Sequence, residues 1–95
     1  MIICAAIKIQ MNNLSEPTII PCWRHGYGYI ILRDLIPDRF SFTVLDEGFI
    51  NHKGVFLDRV KAYREAKHCG QINEHNRWYR KDNKVPDELY SEDLY

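Results

Sequence analysis

Residues 48–72, GFINHKGVFLDRVKAYREAKHCGQI, contain both the start signal and the stop signal of one helix, the clearest structural pattern in the chain. Asp58 is a suitable N-cap, since its carboxylate can accept hydrogen bonds from the first backbone N–H groups of a helix. Gly70 stands where a left-handed residue ends a helix, and the basic Lys67 precedes it in the last turn. The stretch therefore predicts a main helix over about residues 58–69.

The segments around this helix have the alternation of β-strands. Ile3, Ala5, Ile7 and Ile9 alternate with less apolar residues and are predicted to face the core. Residues 18–22 and 40–44 predict two further strands, and Asp46-Glu47-Gly48 predicts a turn.

The remaining segments complete an α+β fold. Residues 24–28 contain two glycines and predict a loop, while residues 29–33 fit either a strand or a short helix. Residues 86–95 predict a short C-terminal helical segment. We expect residues 1–95 to form a single domain, with a small antiparallel β-sheet, one main helix and this final segment.

The charge of the chain balances overall but is unevenly distributed. Thirteen basic and 13 acidic residues give a formal net charge of zero, which argues against a DNA-binding protein driven by net charge. Residues 52–84 hold nine Lys or Arg against four acids, whereas residues 86–95 hold four acids and no base. This pattern fits a solvated helix face paired with the tail. The alternative is a positive pocket for a phosphorylated ligand, closed by the tail of a neighbouring subunit.

Cysteine usage and hydropathy indicate where the protein works. Cys4, Cys22 and Cys69 are odd in number and irregularly spaced, which favours a reducing cytosol over a disulfide framework. The apolar start of the chain is interrupted by Lys8, and no run approaches membrane-spanning length. We expect a cytoplasmic protein with no membrane partner.

Metal binding and catalysis are poorly supported by the residues. Cys22 and His25 have ligand-like spacing, but His68 and Cys69 point about 100° apart on a helix, so no metal site and no cofactor are predicted. His25, beside Arg24, is the residue most suited to act as a general base. A satisfied structural histidine is the simpler interpretation.

Binding of a nucleotide-like ligand is better supported. Arg24 and Arg59 offer planar forks for phosphate, and glycines near both permit close backbone approach. Candidate rings for stacking on a base are Phe49, Tyr27 and Trp78, and candidate polar contacts are Asn51, Asn76 and Gln71.

Several of these residues occur in motifs that extend along most of the chain. The motifs are Cys4-Ala5-Ala6-Ile7, Arg24-His25, Gly48-Phe49, Gly54-Val55-Phe56-Leu57-Asp58-Arg59, Gln71-Ile72 and Ser91-Glu92-Asp93-Leu94-Tyr95. In these the chain resembles the first-described group of Thoeris anti-defence proteins, which are small and phage-encoded. The resemblance implies a sponge that sequesters cyclic ADP-ribose isomers made by bacterial TIR-domain enzymes and does not cleave them. It also implies dimers or hexamers, with cyclic oligonucleotides held at a separate site in some members.

Carried over by position, the resemblance implies a phosphate-binding Arg24 and a base-stacking Phe49, with further contacts from Arg59 and the neighbourhood of Asn76 and Arg77. The predicted ligand-binding residues are Arg24, His25, Phe49, Asn51, Arg59, Asn76 and Arg77. The implied protein is not an enzyme and acts in the cytoplasm of the host cell. Tight binding is hard for a shallow surface on a 95-residue monomer, so we expect the pocket to be completed at a dimer interface.

Two other functions remain open at the level of sequence. One is an inhibitor that binds a host defence protein directly through its aromatic and acidic tail. The other is a small nucleotide hydrolase that uses His25. The sequence leaves open which isomer is bound, whether a second ligand site exists, how many subunits assemble and which host is involved.

Overall fold

Four antiparallel strands form the sheet. The computed structural model describes residues 1–36, 38, 41–73 and 88–94. The strands are β1 (Ile2–Met11), β2 (Thr18–Cys22), β3 (Phe42–Asn51) and β4 (Phe56–Asp58). Their order in the sheet is β2-β1-β3-β4, so the apolar first strand lies in the interior and the short strands form both edges.

The helices complete the α+β architecture predicted from the sequence. They are α1 (His25–Leu35), α2 (Arg59–His68) and a single turn of 3-10 helix at Ser91–Asp93. The main helix and the short C-terminal helical segment are therefore confirmed. No helix in the described ranges is long and apolar enough to cross a membrane.

The ends of α2 follow the signals in its sequence. The Asp58 carboxylate accepts a hydrogen bond of 2.8 Å from the Lys61 N–H, which makes it the N-cap. At the other end Gly70 has a φ of +71°, and the Gln71 N–H donates to the Ala66 carbonyl at 2.8 Å. The Gly70 N–H donates to the Lys67 carbonyl at 3.2 Å, which completes a Schellman motif.

The first helix departs from the sequence-based expectation, because a loop was predicted over residues 24–28 and α1 instead begins at His25. Its buried residues, Gly28 and Leu32, are four apart and face the sheet. A Cβ built on Gly28 would lie 2.6 Å from Cδ1 of Ile7 and 2.9 Å from Sγ of Cys22. Gly28 therefore allows the helix to pack closely on β1 and β2.

The alternation predicted for β1 is wrong at its first residues. Ile3 is 54% exposed, whereas Ile2 is 3% exposed and packs in the core. The pairing of β1 with β3 shifts register between Ile2 and Cys4. An extra residue at such a bulge moves the following side chains to the opposite face, so Ile2 takes the inward position expected of Ile3.

The turn predicted at residues 46–48 is also wrong, because all three residues lie inside β3. Gly48 pairs with Asp58 of β4. A Cβ on Gly48 would collide with the Leu57 carbonyl and lie 2.6 Å from the Phe56 ring. The glycine is thus needed for the close approach of β4 rather than for a turn.

The core lies between the sheet and the two helices, and the C-terminal segment contributes to it. Its fully buried side chains include Ile7, Ile9, Leu32, Phe49 and Leu89. Leu89 is held along α2, because its N–H donates to the Arg59 carbonyl at 2.9 Å. The Asn73 N–H donates to the Asp93 carbonyl at 2.6 Å, which fixes the last turn beside the end of α2.

Candidate functional site

Both helices begin at the same level of the sheet, and a cleft lies where they begin. Ala5 pairs with Cys22 at the end of β2 and with Phe49 of β3. Gly48, which precedes Phe49 in β3, pairs with Asp58 at the end of β4. The chain leaves β2 into α1 and leaves β4 into α2 within one residue of the same position along the sheet.

The cleft between these helix starts has a volume of about 490 Å³. Its third wall is the C-terminal segment. The lining residues are Arg24, His25, Gly26, Tyr27, Ile30, Arg59, Tyr90, Ser91 and Glu92. Two arginines, a histidine and two tyrosines therefore surround one space, a composition suited to an anionic ligand that also carries an aromatic ring.

The Arg59 side chain contacts residues on two sides of the cleft. Its Nη1 donates to the Leu89 carbonyl at 2.8 Å, and its Nη2 lies 3.4 Å from Nδ1 of His25. The guanidinium carbon lies 4.6 Å from the centre of the Tyr90 ring, within cation–π distance. The side chain is 21% exposed. Arg59 thus joins α2, α1 and the C-terminal segment while keeping an edge toward the cleft.

The His25 ring is fixed in one tautomer by its neighbours. Nε2 lies 2.8 Å from the Gly48 carbonyl, which can only accept, so Nε2 carries the hydrogen. Nδ1 then presents its lone pair to the Arg59 guanidinium. Burial lowers the pKa of His25 and Arg59 lowers it further, against an opposing effect of the Gly48 carbonyl. The imidazole is neutral at pH 7 and positions Arg59.

Glu47 supplies the negative charge behind the two helix starts. Its Oε1 lies 3.9 Å from Nη2 of Arg59, at the outer limit of an ion pair. Burial raises the pKa of the Tyr29 phenol, and the Glu47 carboxylate raises it further. Glu47 is therefore the carboxylate that partly balances the charge of Arg59.

The C-terminal segment contains a buried hydroxyl next to the cleft. The Tyr90 N–H donates to Oδ2 of Asp93 at 2.8 Å, which closes the 3-10 turn. Ser91, inside that turn, is 5% exposed. Its Oγ has no hydrogen-bond partner among the residues that the structure describes. Burying a hydroxyl without a partner costs free energy, and this oxygen lies beneath the wall of the cleft rather than on its surface.

Three of the predicted site residues converge and two do not. Arg24, His25 and Arg59 all line the cleft. Phe49 is 0% exposed and packs in the core, with its ring centre 5.3 Å from that of His25 in an edge-on arrangement. The prediction that Phe49 stacks on a base is therefore corrected: its ring supports His25 from below, and no face is open to a ligand.

Asn51 is likewise a structural residue. It is 7% exposed, and its Oδ1 accepts 3.0 Å hydrogen bonds from the N–H groups of Lys53 and Val55. Its Nδ2 donates to Glu65 at 3.3 Å. Its predicted role in ligand binding is corrected, because these bonds hold the turn between β3 and β4. Asn76 and Arg77 lie outside the described residues.

The site residues that sequence reasoning missed are those of the C-terminal segment. Tyr90, Ser91 and Glu92 line the cleft of their own chain, whereas the sequence suggested closure by the tail of a neighbouring subunit. The available signal was the change from a basic region to an acidic, aromatic tail. That pattern predicts attraction between the two segments but not which face of the tail meets the cleft.

A second, basic cleft runs along α2. It has a volume of about 370 Å³ and is lined by Val60, Tyr63, Arg64, Lys67 and His68. Metal ions in proteins are bound mainly by the side chains of His, Cys, Asp and Glu. Across the described part of the chain, no three of these side chains are grouped so as to hold a metal ion.

The fold and the cleft define a small α+β protein with a basic site built from two helix starts and a C-terminal turn. The chain matches the family described as phage T4 y16D protein over residues 1–95, and it belongs to that phage protein family. Neither a curated protein sequence nor a solved structure matches it.

Proposed function

We propose that this phage protein is a counter-defence sponge, which sequesters a cyclic ADP-ribose isomer in the cleft and releases it unchanged. The observation that carries the proposal is the convergence of Arg24 and Arg59, from the starts of two different helices, on one cleft. Such a ligand carries two phosphates, and guanidinium groups recognise phosphate through paired N–H donors. The proposed site of action is the cytoplasm of the host cell.

The size and aromatic lining of the cleft support a nucleotide. Its volume of about 490 Å³ falls within the range of roughly 300–1,000 Å³ typical of small-molecule sites. Tyr27 is 56% exposed at the rim, and Tyr90 lies on the opposite wall against Arg59. These rings take over the stacking role first assigned to Phe49, and each base stacked on such a ring gains about 1–3 kcal/mol.

The state of His25 supports binding without cleavage. A general base needs a free lone pair directed at the substrate. The lone pair of Nδ1 faces the Arg59 guanidinium, and Nε2 donates to the Gly48 carbonyl. A hydrolase that uses His25 would have to break one of these contacts first, so we favour a sponge over an enzyme.

The affinity that a sponge needs favours assembly of two or more copies. A nanomolar dissociation constant corresponds to about −12 kcal/mol, which is demanding for a surface cleft on a chain of this size. Apolar surface lies next to the cleft: Trp23, Tyr27, Ile30 and Leu35 are 62%, 56%, 46% and 71% exposed. We propose that this surface, formed by α1 and the preceding Trp23, pairs with a second copy and encloses the ligand in a dimer or a higher oligomer such as a hexamer.

The cleft along α2 is the proposed place for a second ligand, a cyclic oligonucleotide. Arg64, Lys67 and His68 lie on one side of the helix and face solvent. Competition between the two ligands would place them in the same cleft, whereas independent saturation would place them in separate ones.

Retention of the ligand tests the main proposal. The protein is incubated with a cyclic ADP-ribose isomer, captured, washed and heated, and the released material is analysed by mass spectrometry. We expect the intact nucleotide from the wild type and none from Arg24→Ala. Arg33→Ala is the matched control, because Arg33 lies in the last turn of α1 with its side chain 74% exposed. Recovery of a cleaved nucleotide would instead indicate a hydrolase.

The alternative is an inhibitor that binds a host defence protein directly. The exposed apolar residues of α1 favour this function, because such surface also suits a protein partner. It predicts that no nucleotide is retained and that a TIR-domain enzyme co-purifies with the wild type. Substituting Ile30 with Glu on this surface would then abolish co-purification.

A further inference from the structure

The charged groups of the cleft are divided between its walls. Both arginines lie at helix starts, Arg24 as the N-cap of α1 and Arg59 as the first residue of α2. Among the described residues that line the cleft, the one carboxylate is that of Glu92, which belongs to the C-terminal segment. A ligand that fills the cleft therefore meets hydrogen-bond donors at the helix starts and an acceptor on the C-terminal wall.

A carboxylate is an unexpected group in a cleft for phosphate. At short range it repels a phosphate, which weakens binding unless another part of the ligand gains from it. An ionised carboxylate only accepts hydrogen bonds, so the groups that suit Glu92 are hydroxyls or amines. Its two oxygens offer about four lone pairs. Glu92 can therefore accept from a ligand in addition to the interaction that it makes within the protein.

The turn that carries Glu92 is anchored on both sides of this residue. Ser91 is 5% exposed and Asp93 is 0% exposed, whereas Glu92 is exposed. The Asp93 N–H donates to the Tyr90 carbonyl at 2.9 Å, and the Asp93 carbonyl accepts from the Asn73 N–H at 2.6 Å. The backbone of Glu92 is thus held in place while its side chain is accessible, which lowers the entropic cost of binding a ligand there.

We propose that Glu92 recognises ribose hydroxyls of the ligand, while the phosphates of the ligand lie toward Arg24 and Arg59. The inference rests on the proposed function and specifies it: the cleft selects a nucleotide that keeps the 2′-hydroxyl of a ribose. Carboxylates hydrogen-bond this hydroxyl in dinucleotide-binding folds, beside a separate phosphate site. Glu92 thereby determines specificity, and the arginines bind the anion.

A pair of nucleotides that differ in one hydroxyl tests this role. The full-length protein is titrated with ADP and with 2′-deoxy-ADP, and both affinities are measured by calorimetry at the same ionic strength. We expect the wild type to bind ADP roughly tenfold more tightly, the effect of one hydrogen bond to a charged group. In Glu92→Gln, which removes the charge and nearly keeps the shape of the side chain, this ratio should fall to about twofold or less.

Glu16→Gln is the matched control, because it changes the net charge equally. Glu16 is exposed between β1 and β2, at the opposite end of these strands from the pairing of Ala5 with Cys22 beside the cleft. Its preference for ADP should equal that of the wild type. An unchanged preference in Glu92→Gln would overturn the proposal, as would a wild type that binds the two nucleotides equally or not at all.

Inorganic pyrophosphate separates recognition of a ribose from a structural role. It has the two phosphates of ADP but no hydroxyl for Glu92, so Glu92→Gln should strengthen its binding by about twofold, since a nearby negative charge is removed. The same substitution should weaken the binding of ADP. Replacing a residue that merely maintains the shape of the cleft would weaken the binding of all three compounds together, and that result would contradict the assignment.

Failure of this inference can be told from failure of the sponge. If the wild type retains the cyclic nucleotide and Glu92→Gln leaves the preference for ADP unchanged, the role given to Glu92 is wrong and the sponge stands. If the preference falls as expected and no cyclic nucleotide is retained, Glu92 recognises ribose and the ligand of the cleft is a different nucleotide.

Discussion

His25 shows how a half-buried histidine can lie beside a cation in its neutral form. Its neutral ring donates to the Gly48 carbonyl and receives Arg59 on its other nitrogen. Protonation would place a hydrogen on Nδ1 directly against a guanidinium. The pKa of His25 is accordingly below its ordinary value of 6.5, chiefly because of burial.

This pKa predicts acid sensitivity of the fold. Below pH 6.5 the unfolded chain binds a proton at this histidine that the folded protein does not, so the free energy of unfolding decreases as the pH falls. We expect a lower urea midpoint at pH 5.5 than at pH 7.5. In His25→Gln, which keeps a donor for the Gly48 carbonyl, the difference between the two pH values should shrink.

His68→Gln is the matched control for this experiment, because His68 lies exposed in the last turn of α2. Its difference in urea midpoint between pH 7.5 and 5.5 should match that of the wild type. Equal pH dependence in all three proteins would contradict the role given to His25.

For individual residues, the sequence predicted which functional groups belong to the site better than it predicted where each side chain lies. Arg24, His25 and Arg59 were predicted from their functional groups and from the resemblance, and they do line one cleft. Phe49 was assigned to ligand stacking, yet its ring lies in the core. An aromatic residue next to a glycine looks the same in sequence whether it faces a ligand or packs under a helix.

Among the elements, α1 is the one that the sequence described least well. Ile30 and Ile31 are β-branched and stand beside Tyr29, a composition that favours strands. Only Gly28 and Leu32 of this helix are buried. Its inward stripe is too narrow to give a clear helical period, so tertiary packing against the sheet decided its structure.

Two glycines of α1 provide a matched pair for testing its packing. Gly28→Ala should destabilise the protein by about 1–3 kcal/mol, because its methyl group would overpack against Ile7 and Cys22. Gly26→Ala meets nothing within 4 Å and should be neutral or stabilising through helix propensity. Urea denaturation of both variants measures the difference. Equal stabilities of the two variants would show that α1 packs less closely on the sheet than the structure indicates.

Across the whole molecule, the C-terminal segment is an integral part of the fold. Arg59 binds both main-chain groups of Leu89: its carbonyl accepts from the Leu89 N–H at 2.9 Å, and its Nη1 donates to the Leu89 carbonyl at 2.8 Å. The Leu89 side chain is 0% exposed. One residue thus attaches the acidic tail to the basic helix, mainly through its backbone and its apolar side chain.

Truncating this anchor should destabilise the entire protein. Leu89→Ala removes a fully buried side chain, and we expect a loss of about 2–5 kcal/mol in the free energy of unfolding, in one cooperative transition. Leu14→Ala, on a side chain that is 49% exposed, is the control and should change stability by less than about 0.5 kcal/mol. Local release of the tail, with the remaining transition unchanged, would contradict this expectation.

The sequence was sufficient to predict the fold class and several elements, but not the details of strand pairing. Residues 18–22 and 58–69 carried enough local signals to place a strand and the main helix. The bulge near Ile3 and the inclusion of Gly48 in β3 depend on strand pairing. Pairing partners are remote in sequence, so no local pattern reveals them. The same holds for the contribution of Ser91 to the cleft.

The two edge strands of the sheet also affect how readily the protein aggregates at high concentration. β4 has only three residues, and β2 contains Pro21, which has no N–H to offer a neighbouring chain. Such edge strands offer few backbone groups with which a strand of a second molecule could form hydrogen bonds. A sponge of the kind proposed above would have to accumulate to the concentration of its ligand. One short edge strand and one edge strand with a proline would lower its tendency to form fibrils at such concentrations.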